Sequence, residues 1–169
     1  CADILVLGRP GADPENVAPA TVEAALYECA RAVMIAPPDV GTGPFDKVIV
    51  AWNSSFQAAR AVEYALPFLK KAKEVTILVI GQKPDDVGAA YLARNLGRHG
   101  IATTIDAIDP GVVSGRARGR ALRDYTHGKA ADLLVMGAYG RGQVMSFLGL
   151  GGATAKVISS CRIPLLMAH

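Results

Sequence analysis

Cysteine is scarce: three residues in 169 (Cys1, Cys29 and Cys161), an odd number with no Cys-x-x-Cys among them. That count and spacing exclude a disulfide framework and offer no zinc-ligand pattern, so reduced thiols in a cytoplasmic protein are expected. Long apolar stretches are missing too. Runs such as Ile77-Leu78-Val79-Ile80 and Leu133-Leu134-Val135-Met136 are four residues long, far below the roughly 20 that cross a bilayer. No basic leader precedes the first apolar run, which follows Cys1-Ala2-Asp3, and no signal peptide is expected. There is no long polar tract, which excludes a disordered tail or a fibrous repeat. No Gly-x-Ser-x-Gly and no His-Glu-x-x-His occur, and none of His99, His127 and His169 has a Ser or Cys partner in view. Nucleophilic or metal-assisted catalysis therefore has no local signature.

What remains is a globular composition, 51% hydrophobic and 20% charged, long enough for one domain plus part of another. Charge divides it. Residues up to Gly43 carry two Arg against six Asp/Glu, and the remainder carries sixteen Lys/Arg against nine Asp/Glu, so the two parts are read as different bodies.

Self-comparison gives the same division. The segment from Ala2 to Gly11 matches that from Ala131 to Gly140 at six of ten positions, and Val33-Met34-Ile35-Ala36 parallels Leu165-Leu166-Met167-Ala168. Residues 1–40 are accordingly expected to be the closing strand-helix-strand of a repeat. Residues 41–46, at the end of a Pro/Gly-rich stretch that starts at Pro37, form a linker, and 47–169 form a complete domain. Strands are expected at Lys47–Trp52, Val75–Ile80, Thr103–Ile108, Leu133–Met136 and Pro164–Ala168, all apolar on both faces as buried parallel strands are. Helices are expected at Phe56–Lys71, Val87–Arg98, Arg116–His127 and Gly152–Ser160. This alternation predicts an α/β fold with a doubly wound, parallel five-stranded sheet plus the partial preceding repeat. Ligands of such sheets bind beyond the carboxyl ends of the strands where strand order reverses.

Two loops meet there. One is Asn53-Ser54-Ser55, which caps the next helix and is read as facing the second. The other runs from Gly137-Ala138-Tyr139-Gly140-Arg141-Gly142 to Gly151-Gly152-Ala153, where glycines would let backbone N–H groups approach a phosphate before a helix N-terminus. Tight turns alone would explain those glycines equally well. It is neither a P-loop nor a dinucleotide fingerprint, since Met145 stands at the third glycine. Trp52 and Tyr139 adjoin the site. Arg116, Arg120 and Arg123 fall on one helix face with Arg118 beside them, and a solvated basic face is the expectation, since no aromatics interleave for nucleic acid.

The glycine loop, the terminal Ile163-Pro164-Leu165-Leu166-Met167 and the turn Val50-Ala51-Trp52-Asn53-Ser54-Ser55 together resemble the universal stress protein family, in its tandem-domain form. That resemblance implies an adenine nucleotide alpha hydrolase-like fold. It also implies a site for ATP or another adenine nucleotide, with or without Mg²⁺, drawn from Ala51, Asn53, Ser54, Ile80, Gly137, Gly140, Arg141, Gly151, Gly152 and Ala153. The family motif, Gly-x-x-Gly, nine residues, then Gly and Ser or Thr, is met by Gly137 and Gly140. It is departed from by the ten residues before Gly151 and by Gly152 in the hydroxyl position. Asn53 stands where nucleotide-binding members carry the Asp that holds ribose, and Ile80 where backbone meets adenine. The function implied is stress-response regulation with little or no turnover, in a homodimer or higher homo-oligomer with no membrane or nucleic-acid partner. The alternative is an interaction protein acting through its dimer surface.

Overall fold

The computed structural model describes residues 2–10, 16–39, 41, 43–109, 114–138 and 153–169. Its elements are β1 (Ile4–Gly8), α1 (Pro19–Glu28), β2 (Ala32–Ala36), β3 (Lys47–Ala51), α2 (Phe56–Leu69), β4 (Glu74–Ile80), α3 (Ala89–Arg98), β5 (Thr104–Ile108), α4 (Gly115–Gly128), β6 (Leu133–Gly137), α5 (Ala153–Ser160) and β7 (Leu165–Ala168). The strands form one seven-stranded sheet in the order β1-β2-β7-β6-β3-β4-β5. Five of these strands come from the part expected to be a complete domain. β2 and β1 extend the same sheet beyond β7 rather than standing apart.

Every neighbouring pair is parallel except β2 and β7, which run antiparallel with Val33 opposite Met167, Met34 opposite Leu166 and Ile35 opposite Leu165. The internal repeat explains this register. Leu5 opposite Val33, Val6 opposite Met34 and Leu7 opposite Ile35 in the β1/β2 pair correspond, position for position, to Leu134 opposite Leu165, Val135 opposite Leu166 and Met136 opposite Met167 in β6/β7. Even the hydrogen bond just past the strands is duplicated: Arg9 N–H to the Ala36 carbonyl and Ala138 N–H to the Ala168 carbonyl, each 2.8 Å. The repeats are thus related by a local twofold passing between Met34 and Leu166, which are equivalent residues facing one another.

Two apolar layers sandwich the sheet. On one face Val48, Val50, Ile77, Val79, Leu133 and Val135 pack against α2 and α3 through Ala61, Ala65, Leu92 and Leu96. On the other, Ile49, Leu78, Leu134 and Met136 meet Leu26 of α1, Leu122 of α4 and Val157 and Ile158 of α5. Cys161 is buried in this second layer, which pushes its thiol pKa up, while Cys29 is exposed; both are free. Pro67 begins the last turn of α2 without ending it.

β5 departs from the expectation of a strand buried on both faces. It is the sheet edge, with Thr104, Ile105 and Ala107 exposed, since apolar spacing does not report whether a further strand follows. Its tether to α4 is polar: the Tyr125 hydroxyl donates to Asp106 Oδ2 at 2.6 Å, and Lys129 Nζ lies 3.8 Å from the same oxygen. The Asp106 carboxyl is held below its ordinary pKa, first by the Tyr125 hydrogen bond, against which partial burial works, then by the Ala107 N–H and Lys129. A depressed carboxylate contributes stability above its unfolded pKa and loses it as pH falls through the folded value. Wild type should therefore exceed Tyr125→Phe by about 1 kcal/mol at neutral pH, the difference closing below about pH 4. The estimate is kept small because the Asp106 side chain is 43% exposed and solvent screens it. Urea midpoints at several pH values measure the difference; one that stays constant into acid would dismiss Asp106 as its source.

Candidate functional site

Strand order reverses at β3. From it the chain moves outward to β4 and β5, then crosses back to β6 and β7 on the opposite side. The carboxyl ends of β3 and β6 therefore flank the crevice in which such sheets bind ligands. A cavity of ≈130 Å³ opens there. Ala51, Trp52 and Asn53 line it from the end of β3, Leu78, Ile80 and Gln82 from the end of β4, and Met136 and Gly137 from the end of β6. Arg118 and Leu122, one turn apart on α4, form its remaining wall.

Each wall has a local cause. β4 runs on to Ile80, past Leu78, its last partner on β3, so on that side its final residues border the crevice, while on the other Val79 and Ile80 still pair with Ala107 and Ile108 of β5. The chain leaves β3 through Trp52, whose N–H bonds the Leu78 carbonyl at 2.9 Å and whose indole Nε1 donates to the Val87 carbonyl at 2.7 Å. That indole bond ties the turn after β3 to the segment after β4. Ser54 then takes a left-handed conformation, φ 61°, one that costs non-glycine residues energy and is concentrated at functional turns. The strain is offset locally. Asn53 Oδ1 accepts the Ser55 N–H at 3.2 Å, and Ser55 Oγ accepts the Ala58 N–H at 3.1 Å, capping α2.

Of the residues named from sequence, Ala51, Asn53, Ile80 and Gly137 are brought together around the cavity, with Ser54 next in the turn. Ala153 opens α5. Gly140, Arg141, Gly151, Gly152 and Tyr139 lie outside the described residues.

Gly137 has a packing reason beside the one its motif supplies. A Cβ on it would stand 2.6 Å from the Ala58 amide nitrogen and 2.9 Å from the Gln57 backbone carbon. The missing side chain admits the first turn of α2 against β6, so Gly137 is a packing glycine at the rim of the site.

Arg118 is what sequence reasoning overlooked. Arg116 and Arg120 are exposed, and Arg123 bonds the neighbouring Asp124 through Nε and Nη2 at 2.8 and 2.6 Å, as a solvated basic face should. Arg118 instead shares the stripe of Leu122 and buried Thr126, turned toward the sheet. Its spacing of four residues before Leu122 was the available signal. The Nε of Arg118 is buried without a hydrogen-bond partner, alone in this respect among the described residues.

A larger cleft, ≈640 Å³, lies at the far end of α4, between Arg123, His127 and Gly128 on one side and Ser160, Arg162 and Ile163 on the other. It borders the amino ends of β6 and β7, away from the strand termini where this architecture gathers polar backbone. Size therefore does not select it over the switch-point cavity. Among the described residues no group of three His, Cys, Asp or Glu is placed to hold a metal, and no helix is long and apolar enough to cross a membrane.

Among solved structures, a universal stress protein from Archaeoglobus fulgidus is similar in fold, with a TM-score of 0.74 and 24% identity over 98% of this chain and 62% of that one. A Pseudomonas aeruginosa protein of unknown function gives 0.57 and 13% identity over 97% and 62%. The chain thus spans less than two thirds of the length of either. No curated protein matches it. Residues 44–169, most of the chain and all of the switch-point cavity, match the family model of the universal stress proteins, and the chain belongs to the universal stress protein family.

Proposed function

We propose that the switch-point cavity binds an adenine nucleotide and that the protein is a cytoplasmic, nucleotide-responsive module with little or no turnover. The observation carrying this reading is the convergence of three strand ends on one small cavity. Its lining is apolar at Ala51, Leu78, Ile80 and Met136 and polar at Asn53, Gln82 and Arg118, and among the described residues no carboxylate lines it. An apolar lining suits a purine ring, and a cationic group free of acids suits phosphates. Asn53, its Oδ1 engaged with Ser55, keeps its amide N–H groups for a ribose or phosphate oxygen. The glycine loop after Gly137, including Gly140, Arg141, Gly151 and Gly152, would supply further N–H groups to the phosphates, near the start of α5 at Ala153. Mg²⁺ would accompany the phosphates as part of the ligand. Among the described residues no His, Glu or Asp lines the cavity to activate water, which is the ground for expecting slow hydrolysis.

Calorimetric titration of the full chain with ATP and Mg²⁺ tests this. Saturable heat is expected, and Gly140→Val should remove it. Absence of heat up to about a millimolar, a limit near −4 kcal/mol, would refute the reading.

A second reading is favoured by one feature. β1 is a sheet edge with Val6 61% exposed, and unpaired apolar edges invite another strand. On that reading the protein works as a homo-oligomeric interaction module. The duplicated register across β2 and β7 also supports a tandem arrangement, with residues 1–40 closing one repeat and 47–169 forming the next.

A further inference from the structure

We infer that Arg118 reads a phosphate oxygen of the ligand, so that the cavity selects phosphorylated nucleosides over unphosphorylated ones. The inference rests on the nucleotide reading above and adds a residue that the glycine loop does not include. Arginine carries five N–H donors and keeps its charge at any physiological pH. Among the described residues the Nε donor at this position is buried and unpartnered, and none of those lining the cavity is a carboxylate that would balance the charge. The arginines around it are satisfied differently: Arg116 and Arg120 reach solvent and Arg123 pairs with Asp124. A permanent cation held against Leu122 with an unmet donor is a cost to the empty protein. An oxyanion in the cavity removes that cost, because it supplies both the acceptor and the opposite charge.

A purely structural role predicts something else. If the side chain were there to fill space, methionine would fill it less completely and the protein would lose stability together with every ligand alike. If Arg118 reads an anion, Arg118→Met leaves the empty protein as stable as wild type or more so, and the loss falls on anionic ligands alone.

The chain carries a single tryptophan, Trp52, which lines the same cavity, so its fluorescence reports occupancy directly. The experiment titrates wild type, Arg118→Met and Arg118→Lys with ATP, adenosine and inorganic triphosphate, and records a melting curve for each protein without ligand. In wild type, ATP and triphosphate should compete, and adenosine should bind at least about tenfold more weakly than ATP. Arg118→Met should weaken ATP about ten- to a hundredfold, in line with loss of a charge-assisted hydrogen bond, and leave adenosine unchanged. Arg118→Lys should fall between, since it keeps the charge without the planar fork. An Arg118→Met protein that binds ATP within threefold of wild type overturns the inference and leaves the nucleotide reading standing. So does one that loses adenosine and ATP equally with a lowered melting temperature. If triphosphate binds as well as ATP while adenosine binds not at all, the adenine part of the reading falls and Arg118 keeps its role. If wild type binds none of these ligands, both fall.

Discussion

Gly137→Ala and Gly137→Val should each destabilise the protein by about 3 kcal/mol, at the upper end of what overpacking costs, because the obstruction is backbone and cannot rotate away. The Cβ that both substitutions introduce would sit 2.6 Å from the Ala58 amide nitrogen, inside the first turn of a helix whose position is fixed by the Ser55 cap and by burial of Ala58, Ala61 and Ala65. To make room, α2 would have to lift from β6 and open the apolar layer beneath it. The repeat provides the control. Gly8 is the equivalent of Gly137 in the β1/β2 pair, and a Cβ there would meet only Val17 Cγ2 at 3.6 Å, an ordinary contact. Gly8→Ala should therefore stay within about 0.5 kcal/mol of wild type. Urea unfolding followed by circular dichroism compares the two, and a Gly137→Ala midpoint equal to that of Gly8→Ala would refute the packing argument. It follows that Gly137 substitutions are poor probes of ligand binding, which is better tested at Arg118 and in the glycine loop.

The second large effect is expected at the local twofold. Leu166→Ala should cost about 3–4 kcal/mol, within the usual range for deleting a buried leucine, because Leu166 is fully buried between Met34 on β2 and Val135 on β6. Met34→Ala, at the equivalent position, should cost about 1–2 kcal/mol, because Met34 is only half-buried. The asymmetry arises from the neighbours. Leu166 has strands on both sides and α2 above, whereas Met34 stands next to β1, where cover is thin enough to leave Val6 exposed. Equal losses in the two variants, measured by the same unfolding curves, would mean that the sheet is evenly covered across its twofold.

Much of this architecture was legible because it depends on local pattern. The strand from Lys47 and those ending at Ile80, Ile108 and Ala168 fell within a residue of their observed limits, since short apolar runs between helix signals leave little freedom. The repeat made Val33–Ala36 and Leu165–Ala168 legible as equivalent strands, while their antiparallel register, Val33 opposite Met167, comes from the structure. Beyond that, the pattern is silent on neighbours: nothing within Thr104–Ile108 marks it as an edge. The site divided in the same way. Ala51, Asn53 and Ile80, named through the family resemblance, lie at strand ends and so line one cavity. The packing role of Gly137 was not legible, since a motif cannot show toward which side a Cβ would point. Arg118 was missed because spacing by i, i+4 and i+7 grouped the other three arginines, and the rotation of α4 against the sheet is decided by Ala117, Leu122 and Thr126.

The antiparallel contact between β2 and β7 also has a kinetic meaning. Val33 cannot meet Met167 until the intervening chain exists, and ribosomes add about 5–20 residues per second. For roughly ten seconds of each synthesis β2 lacks β7, and the apolar flank that β7 covers in the finished protein stays open. Contacts of such long sequence separation form late, so the strand-helix-strand at residues 4–36 is the last part of the sheet to dock and the part most exposed to chaperones or to a mispaired copy while it waits.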